Sequence, residues 1–194
     1  MSLKKFSELF VDLDSSNSTN NKIEVLKNYF FSNDPIDNSW AIYLLTGKSN
    51  KRFISGRYLK NLFSQIYDYP VWLIDTCYLK VGDSAEVITL LLKNKSTSRK
   101  KELSNISLNE LLSKTIPDLS KLNEEEKNLQ IKNIWERLPE DYHLIFNKIL
   151  TGTFRVGVSI GLITKSISKL INICLLYTSP SPRDMSASRM PSSA

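Results

Sequence analysis

The stretch Asn123-Glu-Glu-Glu-Lys-Asn-Leu-Gln-Ile-Lys-Asn-Ile-Trp-Glu-Arg-Leu-Pro-Glu-Asp-Tyr-His-Leu-Ile-Phe-Asn-Lys-Ile149 decides the fold class. Asn123 is a helix-capping residue type, and Glu124, Glu125 and Glu126 place carboxylates in a first turn, where the helix dipole favours them. Leu129, Ile131, Ile134, Trp135 and Leu138 follow as the apolar side of that helix. Pro139 suits the start of a second helix, whose Tyr142, Ile145, Phe146 and Ile149 recur at spacings of three and four. Two amphipathic helices therefore succeed one another with a single proline between them.

The same pattern continues towards the N-terminus. Phe6, Leu9, Phe10 and Leu13 form one helical stripe, and Ile23, Leu26, Tyr29 and Phe30 form a second after the Ser/Asn stretch at 15–20. Trp40, Tyr43 and Leu44 follow Asp34-Pro35, with Gly47 as a C-cap. Leu59, Leu62, Phe63 and Ile66 follow Ser55-Gly56. Tyr69-Pro70 ends that helix and starts another through Trp72, Leu73 and Cys77 to Gly82, and Ser84 to Leu92 is a shorter, more apolar one. The polar, basic run Lys93 to Ser104 is expected to be an exposed loop. Ser107 to Glu110 matches a capping box whose helix Pro117 disturbs. No alternating strand pairs and no sustained repeat period appear, so the expected fold is all-α over residues 1–173.

The 194 residues are 41% hydrophobic and 24% charged, ordinary for one domain with one good core. The net charge of +6 permits a polyanionic partner without proving one. Two cysteines, Cys77 and Cys174, form neither a disulfide framework nor a zinc spacing, and acidic residues interrupt the apolar N-terminus, so no secretory signal is expected. No apolar run approaches the roughly 20 residues that span a bilayer. The reading is a soluble cytoplasmic protein with no membrane association.

From Cys174 the composition shifts, with three of the seven prolines and two of the three methionines in the last 21 residues. The run Cys174-Leu-Leu-Tyr-Thr-Ser-Pro-Ser-Pro-Arg-Asp184 resembles a translated transposase-type sequencing adapter, and Ser188-Arg-Met-Pro-Ser-Ser-Ala194 resembles its flow-cell end. Residues 174–194 are accordingly expected to be a non-native, irregular tail, with the natural sequence interrupted near Ile173.

Catalytic constellations are sparse. There is no phosphate loop, no metalloprotease helix motif and no nucleophile elbow. His143 has no ligand constellation around it and reads as structural, so no metal site is expected. Lys80-Val-Gly-Asp83 carries the letters of the nucleotidyltransferase motif Lys-x-Asp-Gly in the wrong order and in a helical context, which excludes Lys80 as a nucleophile.

The informative stretch is Leu150-Thr-Gly-Thr-Phe-Arg-Val-Gly-Val-Ser-Ile-Gly161, which holds three of the six glycines. Glycines let a backbone approach another backbone or a phosphate, and Ser159 is placed to cap the helix through Ile163, Ile167 and Leu170. A helix N-terminus behind exposed amides is a ready anion site. A tight interhelical turn with Arg155 on the surface is the alternative.

The run Thr151-Gly-Thr-Phe-Arg-Val-Gly-Val-Ser159, preceded by Phe146-Asn-Lys-Ile-Leu150, resembles the end of the N-terminal DNA-binding domain of ATP-dependent DNA ligases. Trp40-Ala-Ile-Tyr-Leu-Leu-Thr-Gly-Lys48, Val81-Gly-Asp-Ser-Ala-Glu-Val-Ile-Thr-Leu-Leu-Leu92 and Lys4-Lys-Phe-Ser-Glu-Leu-Phe-Val-Asp-Leu-Asp14 carry the same resemblance, which covers residues 3–173 and is nearest to bacterial ligases. It implies a helical clamp on the sugar-phosphate of nicked double-stranded DNA, with no catalytic residue and no cofactor in this chain. ATP and Mg²⁺ would serve the full-length parent, whose adenylation and OB-fold domains are absent here. The DNA contacts it implies are Gly152, Thr153, Arg155, Gly157 and Ser159, with Thr153 standing where many relatives have Lys or Arg. Lys48, Lys51, Arg52, Ser55 and Arg57 are second contacts, since phosphate binding needs cations near exposed amides. A solvated basic face is the alternative for these, and for Lys93, Lys95, Arg99, Lys100 and Lys101. The competing function is a helical protein-interaction module with incidental basic patches.

Overall fold

The start signals of the sequence are used as caps. In the computed structural model, which describes residues 2–47, 52–93, 103, 105–154 and 156–171, side-chain oxygens of Ser18, Asp34, Ser55, Ser107, Asn123 and Ser159 accept backbone N–H groups of the helices they open. Asn123 and Glu126 form a reciprocal capping box. The helices are α1 (Ser2–Ser15), α2 (Thr19–Ser32), α3 (Pro35–Leu45), α4 (Gly56–Tyr67), α5 (Val71–Val81), α6 (Ser84–Lys93), α7 (Leu108–Glu110), α8 (Ile116–Lys121), α9 (Glu124–Arg137), α10 (Glu140–Thr151) and α11 (Ile160–Leu170). Among the described residues there is no strand, and the fold is all-α.

Pro117 disturbs its helix in a specific way. Between α7 and α8 the chain widens into a π-helical turn, Leu111–Thr115, in which the Ile116 N–H donates to the Leu111 carbonyl. Proline has no N–H to donate and its ring crowds the carbonyl four residues back, and the wider turn absorbs both defects.

The core forms around α10, nine of whose twelve residues are buried. α10 packs on α1 and α6, α6 also on α4 and α5, α1 on α2, and α2 on α11. α9 joins through Trp135, whose ring meets Phe63 and Tyr67 of α4 at centroid distances of 6.3 and 6.4 Å. Because α10 is buried nearly all round, its polar residues need internal partners. Trp135 Nε1 donates to Asn147 Oδ1 (2.9 Å), Asn147 Nδ2 to Thr89 Oγ1 (3.1 Å) and Thr151 Oγ1 to the Asn147 carbonyl (2.9 Å). Buried His143 meets the Trp135 carbonyl through Nε2 at 2.9 Å, the structural role expected of it.

Three expectations need correction. Leu129 is 59% exposed, because it lies two residues, about 200° of helix, from Ile131 on the face that packs. Trp72 is 69% exposed, and Ile74 is the residue of α5 that enters the core. Lys93 belongs to the last turn of α6, where a cation suits the helix dipole, and is not the start of a loop. Lys95, Arg99, Lys100, Lys101 and the tail 174–194 lie outside the described residues.

Candidate nucleic-acid interface

The end of α10 is where two distant pieces of chain meet. The last carbonyls of a helix have no partner within it, and here the Leu150 carbonyl accepts N–H groups from both Phe53 and Ile54, each at 3.0 Å. That anchor lays Arg52 over Gly152. Gly152 ends α10 in the left-handed conformation (φ 67°), and a Cβ there would stand 3.5 to 3.7 Å from Arg52. Thr153 follows, its N–H donating to the Lys148 carbonyl at 3.2 Å and its hydroxyl meeting that of Thr151 at 2.9 Å.

A cleft of about 410 Å³ opens at this junction. Arg52, Ser55 and Arg57 line one side, Thr151 and Thr153 another, and Gly82, Asp83 and Ser84 a third. Two helices begin there. Ser55 Oγ caps α4, and Gly56 sits so close to the start of α6 that a Cβ would meet Ser84 Oγ at 2.2 Å. The first turn of α4 carries no acidic residue, so its amides and the exposed Arg52 and Arg57 leave this wall positive. Among the described residues neither arginine has a carboxylate partner. Asp83, the acid in the cleft, is engaged elsewhere: Oδ1 accepts the Ala85 and Glu86 N–H groups (2.8 and 3.1 Å), and Oδ2 pairs with buried Lys148 at 3.2 Å.

The second half of the glycine turn faces a different neighbour. Phe154 is buried between Phe6 and Phe10 (6.2 and 5.8 Å). The Val156 carbonyl accepts from Lys22 Nζ at 2.6 Å, and a Cβ on Gly157 (φ 62°) would approach that ammonium to 3.1 Å. Ser159 caps α11, which lies along α2 and is tied to it by Lys169 and Glu24 at 2.9 Å. The Lys169 hydrogen bond and charge hold the Glu24 carboxyl below its ordinary range. Gly157→Ala is expected to cost about 1 to 2 kcal/mol, the penalty of a left-handed L-residue, and thermal melting checks it.

Arg52, Ser55, Arg57 and Thr153 thus line one cleft, with Gly152 packed beneath Arg52, while Gly157 and Ser159 sit on the α2 side. Arg155, Lys48 and Lys51 lie outside the described residues. Two lysines escaped the sequence reading. Lys60, three residues after Arg57 and so on its face, also lines the cleft; it is held by Asp75 and lies 4.6 Å from the Tyr78 ring centre. That spacing was a usable signal. Nothing in the sequence marks Lys22, which reaches the glycine turn across 134 positions. Lys80 is an exposed residue in the last turn of α5.

A helical domain whose glycine turn, between α10 and α11, lies beside a basic cleft is the class of protein the fold defines. The family model described as DNA ligase N terminus matches residues 2–168, and the chain belongs to that family. No curated protein sequence matches it with significance. Among the described residues no helix is long and apolar enough to cross a membrane.

Proposed function

We propose that the chain binds the sugar-phosphate backbone of nicked duplex DNA as the N-terminal clamp of a bacterial ATP-dependent DNA ligase. The observation that carries this reading is the cleft that joins Arg52 and Arg57, which have no carboxylate partner among the described residues, to Thr153 from the far end of the sequence. Phosphate contacts of this kind position a protein on the duplex without reading bases. Adenylation and OB-fold domains of the same polypeptide, with ATP and Mg²⁺, would perform the sealing chemistry, and the place of such a protein is the cytoplasm, in DNA repair, replication and recombination.

Duplex DNA titrated into the protein is expected to bind with little sequence preference, log affinity falling with log salt by about 0.9 for each phosphate neutralised. Binding that ignores salt, or no binding, would favour the protein-interaction module. Incubation with labelled ATP is expected to leave no denaturation-stable AMP adduct, because Lys80 lacks both motif order and strand context. An adduct would overturn that exclusion.

A further inference from the structure

The cleft lies at one end of the antiparallel pair α6 and α10, and the other end has the opposite character. There α1, α6 and the first turn of α10 enclose a groove of about 510 Å³. Its apolar walls include Val11 and Leu90, 53% and 52% exposed. Among the described residues, Glu8, Asp12, Asp14, Glu86, Glu140 and Asp141 stand around them with Lys4 and Lys93, and Glu140 has an interaction partner of its own. Lys4 approaches Glu8 only to 3.8 Å with both side chains more than half exposed, a pairing that offsets little of the charge. Glu86 is held by Lys148 at 2.8 Å. In a chain of net charge +6, this is a concentration of negative charge.

The geometry points to this groove as the docking site of a basic amphipathic helix from a partner protein, inserting an apolar stripe between Val11 and Leu90 and placing Lys or Arg beside Asp12, Asp14 and Asp141. Two alternative occupants meet physical objections. Duplex DNA is repelled by the carboxylates. A second copy packed about a two-fold axis would set the same acidic rim against itself. A helix presenting apolar anchors at three- and four-residue spacing, flanked by cations, satisfies both the walls and the charge. The groove and the cleft occupy opposite ends of α6 and α10, so no residue lines both.

The test uses a fluorescein-labelled amphipathic peptide of leucine and lysine and a scrambled peptide of the same composition without the stripe. The amphipathic peptide is expected to bind the full chain at least about tenfold tighter than the scrambled one, the equivalent of 1.4 kcal/mol, and to release with salt. Asp12→Lys with Asp14→Lys, and separately Val11→Asp, are each expected to weaken it by about tenfold or more without weakening duplex binding. Equal binding of the two peptides, or undiminished binding by the charge-reversed protein, would overturn the proposal. So would a dimer in sedimentation that Val11→Asp dissociates. Should a variant fail to fold, the Val11 and Leu90 methyl resonances of the unaltered protein decide: they shift on peptide addition, or the proposal is wrong.

Discussion

Asp83→Ala is expected to lower stability by about 3 kcal/mol and the melting temperature by roughly 6 to 12 °C. Asp83 both caps α6 through Oδ1 and neutralises Lys148 through Oδ2. The Lys148 side chain is 5% exposed, so its charge has little access to water, and truncation leaves it Glu86 as its carboxylate partner and the Phe10 ring 5.3 Å away. The weakened pairing of a buried charge carries most of the cost, and the lost cap about 1 kcal/mol. Asp83→Asn separates the two effects, because the amide oxygen still caps while the charge is gone. Adding Lys148→Met to Asp83→Asn should recover most of the loss by removing the desolvated cation. A melting temperature within about 2 °C of the parent for Asp83→Ala would mean that the pair does not hold α10 to α6.

Arg52→Ala with Arg57→Ala is expected to weaken duplex binding by about 3 kcal/mol, a factor above 10², and to reduce the salt slope by about two. Each guanidinium removed deletes one charge-assisted phosphate contact and the counterion that contact releases. Both side chains are exposed and lack carboxylate partners among the described residues, so melting should stay nearly unchanged. Arg155→Ala should by itself remove about 1 to 3 kcal/mol of binding and one unit of slope. If affinity survives the Arg52 and Arg57 changes and falls only with Arg155→Ala, the phosphate contact belongs to the glycine turn and the cleft is scaffold.

The sequence by itself determined the helices, because their signals are local. Capping oxygens, the proline at 139, stripes such as Phe6, Leu9, Phe10 and Leu13, and the position of Ser159 each act within one or two turns, so reading neighbours suffices. The glycine turn and the Arg52 to Arg57 segment were legible as separate basic or flexible pieces. Their meeting was not, since it rests on the Leu150 carbonyl receiving Phe53 and Ile54 almost a hundred positions away. Periodicity showed α10 with one apolar face, whereas the fold buries nine of its residues and pairs Lys148 with two acids, which only the placement of α6 could supply. Leu129 shows the converse: an apolar residue on the side of α9 turned away from buried Ile131 stays in water. Tertiary structure decided these points because burial and charge pairing depend on which surfaces face each other, and that is set by the packing of the whole chain.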